Sequence, residues 1–182
     1  MLYTKVSPVG IDIPIQKMQV YLHDKLDTLW MLAPLAQQAY GRCYRNQKDD
    51  GYVAEGYKGK NEYIELYLDD RYPVLSFFGV EENIDFNISN TAKVHLIYFV
   101  NIQALEYSHH RADEEVRRDV QLLVQSGYQG FVFTGIRTGI DNVLEEYPGS
   151  IRDKGLRFRD MHPFHCFRFD FNLNYNINRC LK

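Results

Sequence analysis

The clearest pattern in the chain is an unbroken alternation near its end, from position 165 to 178. His165, Phe167, Phe169, Phe171, Leu173, Tyr175 and Ile177 fall on one parity, and Cys166, Arg168, Asp170, Asn172, Asn174, Asn176 and Asn178 on the other. Successive side chains of a strand point to opposite faces, so this run predicts one strand with an aromatic face turned to a core and a polar face that ends in asparagines. At about 3.3 Å per residue the run would span roughly 45 Å, against about 17–20 Å for an ordinary strand. That length predicts a strand that projects beyond its domain or crosses a wide sheet. The asparagine row reads either as a solvated sheet face or as a neutral surface that meets a neighbouring subunit or lines a passage.

Elsewhere the period changes. Ile15, Met18, Leu22, Leu26, Leu29 and Ala33 step by three or four and predict a helix face, with Asp12 as N-cap and Pro34 as the stop. Segments 40–46, 52–57 and 62–68 alternate and are separated by the turn sequences Lys48-Asp49-Asp50-Gly51 and Lys58-Gly59-Lys60-Asn61, which predicts adjacent antiparallel strands. Segment 74–80 is a further strand and 81–92 a polar loop or ragged hairpin. Segment 93–102 is apolar on both parities, so it is expected at the centre of a sheet covered on both faces. Ala112, Val116, Val120, Leu123 and Val124 predict a second helix over 110–126. A strand follows at 130–137. Thr138-Gly139-Ile140-Asp141 resembles a capping box opening a short helix that Pro148-Gly149 would stop. Residues 1–11 read as an extended arm and 138–162 as a loop-rich excursion. The whole predicts one α+β domain over 1–182, an N-terminal helix with a mainly antiparallel sheet and helices packed on one face.

Composition narrows the function. The chain has 182 residues with 14 Tyr, 11 Phe and one Trp, and tyrosine-rich β surfaces suit protein contacts. A net charge of −3 argues against a grip on nucleic acid that works by neutralising phosphates. Cys43, Cys166 and Cys180 have no metal spacing and an odd count, which predicts free thiols in a reducing compartment. No apolar run approaches the length of a membrane helix, so a soluble protein without membrane contact, made in the cytoplasm, is expected.

Candidate chemistry is thin. His162 and His165 lie three apart and His109 and His110 are adjacent, but on a strand or turn this spacing presets no metal geometry. No serine sits in a nucleophile-elbow context and no glycine-rich phosphate loop appears. No catalytic residue, cofactor or metal is therefore expected. The alternative is a small cytoplasmic enzyme or ligand-binding protein using His109, His110, His162 and His165.

Three stretches carry a resemblance. Gly10-Ile11-Asp12-Ile13-Pro14-Ile15-Gln16, His110-Arg111-Ala112-Asp113-Glu114-Glu115-Val116-Arg117 and His162-Pro163-Phe164-His165-Cys166-Phe167-Arg168 resemble a virion-associated protein of crAss-like phages of gut Bacteroides. The element order also resembles the tail-terminator and neck proteins of tailed phages. That resemblance implies a virion protein that forms a homo-oligomeric ring of six or twelve copies at the head–tail connector, assembled in the bacterial host cytoplasm. It implies contacts with neck, portal or tail proteins, and DNA that passes through without sequence-specific binding. The expected interface residues are Leu2, Tyr3, Val6 and Val9 of the arm and Asn172, Asn174, Asn176 and Asn178 of the last strand.

Overall fold

In a computed structural model of the protein, all residues are described except 50, 68–70, 87–89, 106, 108–111, 126–127, 154–161 and 177–182; of 82–86 and 152–153 only the backbone is described. The elements run β1 (Leu2–Tyr3), α1 (Asp12–Leu29), β2 (Gln37–Arg42), β3 (Tyr44–Lys48), β4 (Gly51–Gly59), β5 (Glu62–Glu65), β6 (Val74–Phe86), β7 (Asn90–Asn101), α2 (Asp113–Val124), β8 (Phe131–Thr138), α3 (Ile140–Val143), α4 (Pro148–Asp153) and β9 (Phe164–Tyr175). Six strands form a sheet in the order β1-β2-β6-β7-β9-β8, and β3-β4-β5 form a second, three-stranded sheet. The class is α+β. In the larger sheet, β1, β2 and β6 run parallel, and β6, β7, β9 and β8 pair antiparallel.

The period-two pattern of the central strands explains the layers. Leu96, Tyr98 and Val100 of β7, with Phe167, Phe169 and Phe171 of β9, pack on one face against Ile15, Met18 and Leu22 of α1 and Val116 and Val120 of α2. Ile97 and Phe99 of β7, with Cys166 of β9, face the other way and meet Tyr40, Ala54, Val143, Leu144 and Tyr147. Strand β7 is thus buried on both faces, as its doubly apolar sequence predicts. The two long helices share one face as expected. The short α3 and α4 belong to the opposite layer, because Ile140, Val143, Leu144 and Tyr147 are apolar and find their partners there.

Several boundaries differ from the sequence reading. Asp12 is the first residue of α1, not its cap, and Ile11 caps without a side-chain hydrogen bond. The helix ends before Pro34, because Met31 takes a left-handed φ of 45°. The expected single strand 40–46 is two strands in two sheets. They break at buried Cys43, whose N–H donates to Phe78 O (2.7 Å). The expected hairpins β3-β4 and β4-β5 do form, in the smaller sheet. Segment 81–92, expected as a polar loop or ragged hairpin, takes the second form in its described residues: β6 and β7 extend into it as an antiparallel pair with a register shift between Val80 and Ile84. Pro148 opens α4 instead of stopping a helix, since a first-turn proline gives up no helical hydrogen bond. Gly149 then seats α4 on the smaller sheet: a Cβ there would lie 2.8 Å from Gly51 O.

The last strand does not project. All of β9, from Phe164 to Tyr175, is paired with β7, from Asn101 to Asn90, so its length is matched by an equally long neighbour. Nor is residue 1–11 a free arm. Leu2 and Tyr3 pair in parallel with Ala39 and Tyr40, and the Tyr3 ring stacks on Tyr40 at 4.5 Å. Lys5 N–H donates to Gln16 Oε1 and the Gln16 amide returns a bond to Lys5 O (2.8 and 3.0 Å). Such pairing ties the start of the extended segment to the body of the chain.

Candidate functional site

The strand β9 carries two different polar surfaces on one parity. Towards its start, Cys166 and Arg168 are buried beneath α3 and α4; towards its end, Asn172, Asn174 and Asn176 are exposed. Asn174 accepts a hydrogen bond from Thr91 Oγ1 (2.8 Å) on neighbouring β7. Asn178 lies outside the described residues. Of the other expected interface residues, Leu2 and Tyr3 are half-buried in their own sheet, whereas Val6 and Val9 are 96% and 73% exposed.

Of the four candidate histidines, two are described. His162 is exposed, His165 is half-buried with its ring 5.1 Å from Phe167, and His109 and His110 lie outside the described residues. Among the described residues no three His, Cys, Asp or Glu side chains group as a metal site. None of the described helices is long and apolar enough to cross a membrane. Cys43 and Cys166 are buried and form no disulfide, and Cys180 lies outside the described residues.

The densest polar chemistry is a cluster the periodicity did not single out. Arg168, 1% exposed, donates from Nε to Asp170 Oδ1 (2.5 Å) and from Nη1 to Glu146 Oε1 (3.1 Å), with Glu145 at 3.5 Å. Arg137 of β8 donates to the other oxygen of Asp170 (2.9 Å) and also pairs with Glu145. Strand register explains the meeting: Ile97, Arg168 and Arg137 lie side by side across β7, β9 and β8, and Gly79, His95, Asp170 and Gly135 form the next row. Gly79 makes the room, since a Cβ there would sit 1.8 Å from His95 Nε2 and 2.5 Å from Tyr147 Oη. Tyr147 Oη in turn lies 3.4 Å from His95 Nε2 and 3.3 Å from Cys43 Sγ.

Burial sets the protonation states. It holds His95 well below the ordinary imidazole value of 6.5, and the charges of Arg168 and Arg137 push the same way. Burial raises the Cys43 thiol to about 12, against the smaller opposing effect of its Tyr147 contact. Burial also raises Glu146 above the ordinary carboxylate value, although Arg168 pulls it down. A neutral imidazole, an inert thiol and paired carboxylates, packed under Tyr147, form a clamp that fixes the α3–α4 excursion to the sheet.

Compared with family models, with curated proteins and with solved structures, the chain gives no match.

The clamp has a pH signature. Unfolded, His95 takes a proton near 6.5; folded, it does so only well below that value. Between the two the unfolded chain holds the extra proton, so stability falls as pH drops below about 6.5, by up to about 1.4 kcal/mol per pH unit. Glu146 works in the opposite sense: its raised folded pKa returns some stability as pH falls towards the carboxylate range. Urea unfolding should therefore show a loss of about 1 kcal/mol between pH 7 and pH 5.5. His95→Gln should flatten that dependence; an unchanged slope in the variant would place the titrating group elsewhere.

Proposed function

We propose that this chain is a structural ring subunit of the head–tail connector or tail terminator of a tailed phage, joining portal and tail. In this reading it has no catalytic role. It binds copies of itself in a cyclic, head-to-tail arrangement and touches the neighbouring neck, portal or tail proteins. The observation that carries the reading is the outer edge of the larger sheet. Among the described residues β8 pairs with β9 alone, leaving eight residues, Phe131 to Thr138, with no strand beyond them. Isolated proteins commonly blunt such an edge, and a neighbouring chain can add to it. Val132, 52% exposed, sits on that edge in register with Asn172, so the edge adjoins the neutral asparagine row. A neutral polar row beside a subunit contact also suits a lumen that passes DNA without holding its phosphates.

Two variants test this. Val132→Lys, and Asn174→Lys combined with Asn176→Lys, place charge on exposed positions and should change unfolding free energy by only about 0.5 kcal/mol per site. Both should lower ring yield in light scattering and reduce infectivity of phage carrying them, because lysine blocks strand addition or captures DNA phosphates. Wild-type assembly by Val132→Lys would remove the β8 edge from the interface. Wild-type behaviour of the double lysine variant would leave the asparagine row an ordinary solvated face.

A further inference from the structure

The outward side of α1 is a second candidate contact, separate from the β8 edge and independent of the ring reading. Ile15, Met18, Leu22 and Leu26 face the core, and Ile13, Lys17, Val20, Asp24 and Thr28 recur at helical spacing on the opposite side. Two adjoining troughs of about 470 and 540 Å³ run along this side. Tyr21 and Asp24 are shared by both, Pro8 flanks the amino end, Tyr128 and Leu123 form side walls, and Leu29 lies at the carboxyl end. Ile13, Val20 and Tyr21 are only half-buried there.

We propose that this trough receives α1 of a second copy, antiparallel, about a two-fold axis beside Val20 and Tyr21. The argument is self-complementarity. Lys17 and Asp24 lie symmetrically about the point between residues 20 and 21, so an antiparallel copy sets Lys17 of each chain against Asp24 of the other. Ile13 then meets Thr28, and Val20 meets Tyr21. The ends match as well. Val6 and Val9 are exposed apolar residues near the amino end of α1, and Leu29, Met31 and Leu35, 51%, 68% and 64% exposed, stand at its carboxyl end. Antiparallel packing places each set against the other, twice.

The contact is short. Eighteen residues of helix span about 27 Å, which gives an interface at the small end of the specific range. A dimer in the micromolar range is expected. The charge pairs set register and orientation, and the apolar pivot and ends supply affinity.

Sedimentation equilibrium of the full chain tests it. Wild type should show a concentration-dependent dimer. Asp24→Lys sets lysine against Lys17 at both symmetric points and should weaken the dimer about tenfold or more. Lys17→Asp combined with Asp24→Lys restores opposite charges and should recover affinity to within about threefold. Tyr21→Cys in a Cys180→Ser background should cross-link to itself across the axis with a bis-maleimide spanning about 10 Å, the separation of packed helices. A wild-type monomer at millimolar concentration, a dimer indifferent to Asp24→Lys, or failure of the swap to rescue would overturn the two-fold contact. Rings that persist in Asp24→Lys while the dimer is weakened would support two separate contacts; rings lost together with the dimer would overturn their independence.

Discussion

Phe169→Ala should remove a large part of the protein's folding free energy. Phe169 is fully buried at the centre of β9, where it lies edge-to-face with Phe167 (5.6 Å) and tilted against Phe133 (6.0 Å). Truncating a phenylalanine in such a site costs about 3–5 kcal/mol, since transfer and cavity terms add. A domain of this size has about 5–15 kcal/mol in all. The loss also falls on the strand that holds β7 and β8 together, and with them both helical layers. Denaturant titration measures it directly. A loss under about 1 kcal/mol would mean that the aromatic parity of β9 does not centre the core.

Arg168→Ala should cost about as much by a different route. The arginine is 1% exposed and bridges Asp170 on its own strand to Glu146 in the α3–α4 connection. Without it, partly buried Glu146 loses its guanidinium partner, and Asp170 keeps only its pairing with Arg137. Breaking a buried ion pair from one side costs about 3–5 kcal/mol, most of it from the uncompensated charge. Adding Glu146→Leu to Arg168→Ala should therefore recover part of the loss, a non-additive result that stability measurements on the two single variants and the double can read. Strict additivity would show that Arg168 and Glu146 act apart.

The two cases differ in how far sequence reveals them. The aromatic parity of β9 and the double burial of β7 follow from periodicity, because one strand's alternation depends only on that strand. The buried cluster does not. Arg168 and Asp170 fall on the same parity as Asn172 and Asn174, and polar alternation alone reads as a single solvated face. Which part is covered depends on where α3 and α4 land. That is set by Gly79 opening space for His95 and Tyr147, and by Gly149 closing on Gly51. A glycine in the middle of an apolar strand was the one local signal for the first of these. The break at Cys43 was hidden for a similar reason: both halves of 40–46 are good strands, and only their partners assign them to different sheets. The parallel pairing of β1 with β2 likewise joins segments more than thirty residues apart, beyond any local pattern.

Function follows the same division. Val6 and Val9 were legible as apolar residues in a stretch without helical period, and they are exposed; Leu2 and Tyr3 looked alike in sequence but serve their own sheet. The open β8 edge and the outward stripe of α1 emerge only once strand order and helix orientation are known.

The ring reading is tested most directly by locating the protein in the particle. Phage particles carrying a copy of this chain with an electron-dense label should show that label at the junction of head and tail, at one axial level, in negative-stain images. Particles that lack the label while the labelled protein is abundant in the infected cell, or that carry it elsewhere, would contradict the assignment.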